Sequence, residues 1–280
     1  MLRLIAIAAC LALALPGAVQ AQASKQSSTA NQALAEAIAD PRRNEDRPRD
    51  VHRHPAQTLS FFGVAPEMKV GEYAPGGGWY SRLLGLYLGP KGTFTGLFFN
   101  PVHDAFSDKA KQGIRDGAAK FPAEVAGWSG LPAERFSAFT LGNVPDGEKG
   151  SFDRILVIRM MHNLVRWNNA DSEIKTLRDL LKPDGMIGIV QHRAKRNAPF
   201  AYTDGSKGYL READVIRFME MNGFALVRKS EINANRKDSA DWPEGVWTLP
   251  PNLRLKEQDK AKYLAIGESD RMTLLFRKRP

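Results

Sequence analysis

Glu72, Ala74, Gly76, Gly77 and Gly78 sit within nine residues of one another in the stretch Val70-Gly-Glu-Tyr-Ala-Pro-Gly-Gly-Gly-Trp-Tyr80. A short strand pattern, Met68–Tyr73, ends in the acid. A glycine-rich turn follows, and then an amphipathic helix pattern over Trp79–Leu88. Such a unit suits a polar, nucleotide-like ligand. Glycines let the backbone come close, and the free N–H groups of the first helical turn point at the ligand. A dinucleotide fingerprint needs G-x-G-x-x-G with its acid about 20 residues further on. Here the acid precedes the turn, as Glu72-x-Ala74-x-Gly76-x-Gly78, which argues against a nicotinamide dinucleotide. The plainer alternative is a strand-to-helix turn that holds no ligand. Trp79 and Tyr80, at the first turn of the helix, either line such a pocket or pack beneath a neighbouring loop.

Two histidines offer acid–base chemistry. His162 follows one strand pattern and His192 another, and in an open α/β sheet ligands bind beyond the carboxyl ends of strands. Histidine titrates near neutral pH and suits a general base; a structural role bonded to nearby backbone is the competing reading. His52-x-His54 has no clear third ligand, so no metal site is expected. No G-x-S-x-G elbow is present, which argues against a triad hydrolase.

Positioning these groups requires alternating elements. Strand patterns run over Met68–Tyr73, Thr93–Phe99, Phe136–Leu141, Arg154–Arg159, Met186–Gln191, Ala225–Ile232 and Met272–Arg277. Helical patterns run over Asn31–Ala39, Trp79–Leu88, His103–Phe121, Ser172–Leu181 and Arg211–Met221, with a further helix opening at His54-Pro55. This alternation implies a doubly wound α/β domain, its sheet mostly parallel and covered by helices on both faces. No strong crossover helix separates the last two strands, so they pair antiparallel at the edge, with residues 233–267 as an inserted excursion. Arg193–Tyr209, basic and carrying Phe200, Tyr202 and Tyr209, is either a lid or a surface loop. Asp241–Trp247 has the same two readings.

Residues 1–21 read as a secretory signal: Arg3, an apolar run from Leu4 to Leu15, a Pro16-Gly17 break and Val19-Gln20-Ala21 as cleavage site. The run is too short to span a membrane, which takes about 20 apolar residues. The expected location is therefore periplasmic, with cleavage near Ala21, and lipidation at Cys10 is disfavoured because that cysteine lies inside the run. Cys10 is the only cysteine, so the cleaved chain has no disulfide and no thiol chemistry. Residues 22–50 form a partly helical extension and 51–280 the main domain. The net charge is +9, but the cations are scattered, which favours a solvated basic surface over a nucleic-acid groove.

The Glu72–Gly78 pattern resembles motif I of class I S-adenosylmethionine-dependent methyltransferases, with Ala74 where the first glycine usually sits. Leu180-Leu181-Lys182-Pro183-Asp184-Gly185-Met186 resembles the family's turn into the fifth strand, and Asn222-Gly223-Phe224 closes the next helix similarly. The resemblance covers roughly residues 51–280. It looks closest to a group of exported predicted methyltransferases, through Arg53-His54-Pro55, Phe61-Phe62-Gly63 and Pro75-Gly76-Gly77-Gly78-Trp79-Tyr80.

The resemblance implies a seven-stranded Rossmann-like sheet with an antiparallel last strand, and S-adenosyl-L-methionine as cofactor. Glu72 and the Ala74–Gly78 backbone would hold its methionine end. Phe98 occupies the position of the ribose-binding acid, leaving Asn100 as a weaker acceptor, and Asn143 replaces the adenine-side acid. His162 would face the reacting methyl as base, with Trp79, Tyr80, Asn163 and His192 around the acceptor. An Asp/Asn-Pro-Pro-Tyr pattern is lacking, which favours a hydroxyl, carboxyl or carbon acceptor on a small or envelope-associated molecule. The alternative is a non-catalytic binding protein that keeps the fold.

Overall fold

The computed structural model describes residues 29–280; the signal-peptide reading, the cleavage near Ala21 and Cys10 lie outside the described residues. An N-terminal helix α1 (29–39) leads through two short 3-10 turns to α2 (Asp50–Arg53) and α3 (Pro55–Phe61). The alternating part begins with β1 (Lys69–Tyr73), α4 (Trp79–Leu88), β2 (Thr93–Phe98), α5 (Asp108–Ser129) and β3 (Phe136–Thr140). It continues with β4 (Phe152–Ile158), α6 (Met161–Arg166), α7 (Ala170–Leu180) and β5 (Leu181–His192). The chain closes with α8 (Glu212–Met221), β6 (Phe224–Ser230), α9 (Lys260–Ile266) and β7 (Arg271–Lys278).

The seven strands lie in the order β3-β2-β1-β4-β5-β7-β6. All pairs from β3 to β5 are parallel, whereas β7 runs antiparallel to both β5 and β6. This is the doubly wound sheet with an antiparallel last strand that the sequence leads one to expect. Strand residues alternate between two separate apolar cores. Tyr73, Ile155, Val157, Ile187 and Ile189 face α6, α7 and α8, while Val70, Leu156, Ile158 and Val190 face α3, α4 and α5. The chain leaves β1 and β4 toward opposite faces of the sheet, α4 on one and α6 and α7 on the other, so a crevice opens outside their carboxyl ends.

Three boundaries differ from expectation by five residues or more. Helix α5 starts five residues later than its pattern, because Ser107 caps it by accepting a hydrogen bond from Ala110 N at 3.3 Å. It also runs on through Pro122, since Phe121 and Val125 are buried against the sheet and tertiary packing outweighs the lost bond. Strand β5 begins at Leu181, which pairs with Phe152 across a bulge ahead of the regular ladder.

The division at residue 50 separates nothing physically. Asp46 of the N-terminal segment accepts both Arg82 Nε (2.6 Å) and Arg82 Nη2 (2.5 Å), and its carbonyl accepts Trp79 Nε1 at 3.1 Å. Residues 40–53 are one wall of the same unit. Among the described residues no helix is long and apolar enough to cross a membrane.

Phe62, after α3, packs directly on Gly188 of β5. A Cβ at 188 would stand 2.7 Å from Phe62 Cδ1. Gly188→Ala is therefore expected to cost about 1–3 kcal/mol of stability by overpacking. An unchanged urea midpoint would contradict this contact.

Candidate functional site

A cavity of about 270 Å³ opens at the carboxyl ends of β1, β4 and β5. Its wall from β1 and α4 consists of Glu72, Gly76, Gly77, Gly78, Trp79 and Tyr80. The β4 end adds Arg159, His162, Asn163 and Arg166, and the β5 end adds His192. Of the residues singled out in the sequence, these come together. Ala74, Asn100 and Asn143 do not line the cavity.

The turn works for a visible backbone reason. Ala74 has φ +48° and Gly78 φ +77°, both left-handed. That conformation explains why glycine is usual at the first position; alanine there carries strain. The first intrahelical bond of α4 is Arg82 N to the Gly78 carbonyl, 2.8 Å, so the N–H groups of Trp79, Tyr80 and Ser81 have no intrahelical acceptor. A Cβ on Gly76 or Gly77 meets nothing within 4 Å, whereas one on Gly78 would strike Arg82 Nη1 at 2.6 Å. Gly76 and Gly77 thus mark the open approach to a ligand, and Gly78 serves the helix start.

Glu72 is buried and accepts Ser81 Oγ at 2.6 Å. Burial pushes its carboxyl up to about 7, against the pull of the Ser81 hydrogen bond and of Arg159 and Arg82. His162 is also buried, which lowers it to about 4 and keeps it neutral. Gln191 sets its tautomer. Gln191 Nε2 donates to the Gly208 carbonyl (2.8 Å), leaving Oε1 to accept from His162 Nδ1 at 3.4 Å. Nε2 is then the free acceptor of the ring. His192, whose ring lies 5.7 Å from that of His162, pairs through Nδ1 with Ser269 Oγ at 2.6 Å. Burial holds it neutral too.

Trp79 and Tyr80 satisfy both expected roles, lining the cavity and packing under the 40–53 segment. Two guanidinium groups lie over the Trp79 ring, Arg43 at 5.1 Å and Arg53 at 4.8 Å from its centroid. The cover over the cavity comes from the last excursion, through Val246, Trp247, Pro250, Pro251 and Asn252. Arg193–Tyr209 does not line it but supports that cover from behind: Val246 N donates to the Lys207 carbonyl at 2.9 Å.

Sequence reasoning missed a carboxylate with its cations. Glu268 accepts Arg49 Nε (2.7 Å), Arg53 Nε (3.2 Å) and Arg271 Nη1 (3.0 Å). Burial alone would raise its carboxyl, but Arg271, Arg53 and Arg49 hold it down at about 2. Arg53 belongs to the Arg-His-Pro signature, so a signal existed; Glu268, 215 residues away, offered none.

The strand-two side is different. Phe98 packs on Phe121 beneath α5, 5.7 Å between centroids. Asn100 Oδ1 accepts Val102 N at 3.1 Å, and Asn143 lines a separate hollow with Lys149 and Asp179. Over the ends of β1 and β2, Tyr73, Phe99, Phe106 and Trp167 form an edge-to-face cluster with neighbouring centroids 5.2–5.7 Å apart. The nearby carboxylate, Glu173, is committed to the Tyr73 hydroxyl and Asn100 N, each at 2.8 Å.

Among solved structures, a SAM-dependent methyltransferase from Aquifex aeolicus matches 89% of this chain and 98% of its own at 15% identity, with a TM-score of 0.52. That likeness shows the fold. Two further matches are more distant: the [4+2]-cyclase SpnF (14% identity, 81% of this chain and 80% of that one, TM-score 0.49) and the 1,6-didemethyltoxoflavin-N1-methyltransferase from Burkholderia thailandensis with bound 1,6-didemethyltoxoflavin and S-adenosylhomocysteine (13%, 97% and 94%, TM-score 0.43). No family model and no curated protein matches the chain.

Glu268→Gln leaves two buried guanidinium groups, Arg53 and Arg271, and the partly exposed Arg49 short of a counter-charge, and is expected to cost about 3–5 kcal/mol in chemical denaturation. The histidines set a pH window. His162 is depressed from 6.5 to about 4, so the unfolded chain binds more protons between those values. Its contribution to stability is full above pH 6.5 and declines by up to about 1.4 kcal/mol per unit as pH falls toward 4. Imidazole NMR shifts of His162 should stay flat from pH 8 to 5; a midpoint near 6.5 would overturn the neutral, buried assignment.

Proposed function

We propose that this protein is an S-adenosylmethionine-dependent methyltransferase. One observation carries the reading: the acid Glu72, the open backbone of Gly76 and Gly77, and an unprotonated His162 nitrogen line one cavity at the sheet's switch point. The shared fold is compatible with this function without deciding it. The residues fit the methionine end of the cofactor. A buried carboxylate suits its ammonium, and the free N–H groups at the start of α4 suit its carboxylate. They do not fit the usual ribose end, because no carboxylate faces the cavity from β2. We therefore assign the methionine end to Glu72 and residues 76–78, with Ala74 shaping the turn, and expect the nucleoside to add little affinity from Asn100 or Asn143.

When bound, the cofactor supplies an electrophilic methyl on a positively charged sulfur. The chain's own groups do the rest. His162 Nε2 takes the proton of the acceptor, and its burial keeps it available in neutral solution. Asn163, His192, Trp79 and Tyr80 confine the acceptor, and Trp247 and Val246 exclude water. Because residues 1–21 read as a secretory signal, we propose the periplasm as the location and a small or envelope-associated molecule as the acceptor.

Calorimetry with S-adenosylhomocysteine tests the reading. Saturable binding is expected, lost in Gly77→Val, whose side chain enters the open approach. Affinity should rise with pH up to about 7, approaching tenfold per unit, because Glu72 must ionise to meet the ammonium. No binding by folded protein would favour a non-catalytic binding role. Once an acceptor is in hand, His162→Ala should lower kcat by about 100-fold or more and leave cofactor affinity within a fewfold; unchanged kcat would remove its role as base.

A further inference from the structure

The cavity holds more cation than its own carboxylates can answer. Arg49, Arg53, Arg159 and Arg166 line it against Glu72 and Glu268. Glu268 is already shared among Arg49, Arg53 and Arg271. Glu72 is turned to Ser81 on α4. Arg53 is only 1% exposed, yet its Nη1 and Nη2 have no hydrogen-bond partner. Arg159 Nε is buried and equally unpartnered, and no protein acceptor is found for the rest of its guanidinium among the described residues. Native proteins pair nearly all buried polar groups, and orphaned cations are the costliest exception.

The backbone adds to this. Arg159 directly follows β4 with φ +59°, a conformation that strains a side-chain-bearing residue. Strain of this kind persists where the surroundings demand a side chain in one place. Burial and the neighbouring Arg271 depress Arg159 to about 10, and burial with Arg159 depresses Arg53 to about 9; both remain charged near neutrality. Two planar, unsatisfied forks facing one cavity have the chemistry of oxyanion recognition. The amino-acid end of the cofactor brings a single carboxylate, for which the α4 terminus is available.

We infer that the methyl acceptor carries a terminal oxyanion, a carboxylate or a phosphate, gripped by the free Nη groups of Arg53 and the guanidinium of Arg159. This identification of the acceptor rests on the methyl-transfer reading; the oxyanion site itself does not. Anchoring the acceptor by its charged end fixes its position relative to His162 before reaction.

The probes are inorganic phosphate and acetate, titrated into the whole protein by calorimetry and by tryptophan emission, since Trp79 stacks on Arg53. Saturable binding of at least one is expected, and the tighter of the two identifies the oxyanion. Arg159→Gln should weaken it about tenfold or more without lowering the thermal midpoint, because the Arg159 side chain makes no hydrogen bond or ion pair with a protein group. Arg159→Lys, which keeps the charge and loses the fork, should fall between. Neither probe binding, or equal affinity in Arg159→Gln, would overturn the site. Saturating S-adenosylhomocysteine should leave the probe's affinity unchanged. Competition would instead assign the arginines to the cofactor's own carboxylate and overturn the acceptor claim. Probe binding without S-adenosylhomocysteine binding would sink the methyl-transfer reading and leave the oxyanion site standing.

Discussion

The carboxylate of Glu268 is the constraint on which the rest of this structure depends. It lies at the end of the last excursion and meets Arg49 and Arg53 from the N-terminal segment, some 215–219 residues away in sequence. Removing guanidinium groups from water is expensive, and only a well-placed counter-charge offsets it. Here the counter-charge also fixes architecture. With Arg53 held, its guanidinium lies against Trp79, and Trp79 defines the start of α4 and one wall of the cavity. The Asp46 pair with Arg82 and the Asp50 pair with Arg43 repeat the device on the outer side. A segment of the chain that looked like a polar cover is thereby made part of the site.

Around that anchor the chemistry is set by burial. Desolvation keeps His162 and His192 neutral and makes Glu72 reluctant to ionise, while the arginines stay charged. Neutral bases beside fixed positive charge form a dry environment in which a ligand's charge matters more than it would in water. Left-handed residues frame it: Ala74 after β1, Arg159 after β4 and His54 between α2 and α3. Each carries strain of about 1–3 kcal/mol, and two of the three immediately follow strands whose ends form the crevice.

Much of this was legible in the sequence, for identifiable reasons. Helix α4 matches its pattern at both ends, because a left-handed glycine starts it and burial of Tyr80, Leu83, Leu84 and Tyr87 repeats along one face. The acid, the turn and both histidines were findable, since local spacing placed each at a strand end. What stayed hidden is non-local. Nothing near Glu268 announces that it will meet Arg49 and Arg53, and the cover by Val246 and Trp247 depends on how an irregular excursion folds back. Asn100 and Asn143 were misplaced for a related reason. A strand-end position predicts proximity, yet Asn100 turns its side chain to Val102 N, and the aromatic cluster over β1 and β2 takes the adjoining space.

Strand β7 lies between β5 and β6, although it follows both in sequence. Its partners cannot complete the sheet until Arg271–Lys278 lies between them, and Glu268 precedes that strand by three residues. The arginines of the N-terminal segment therefore meet their counter-charge only across a separation of 215–219 residues. Long-range closure of this kind is slow. The cavity is thus finished by a non-local pairing, in which β7 fills the gap between β5 and β6 and brings Glu268 to the arginines of the N-terminal segment.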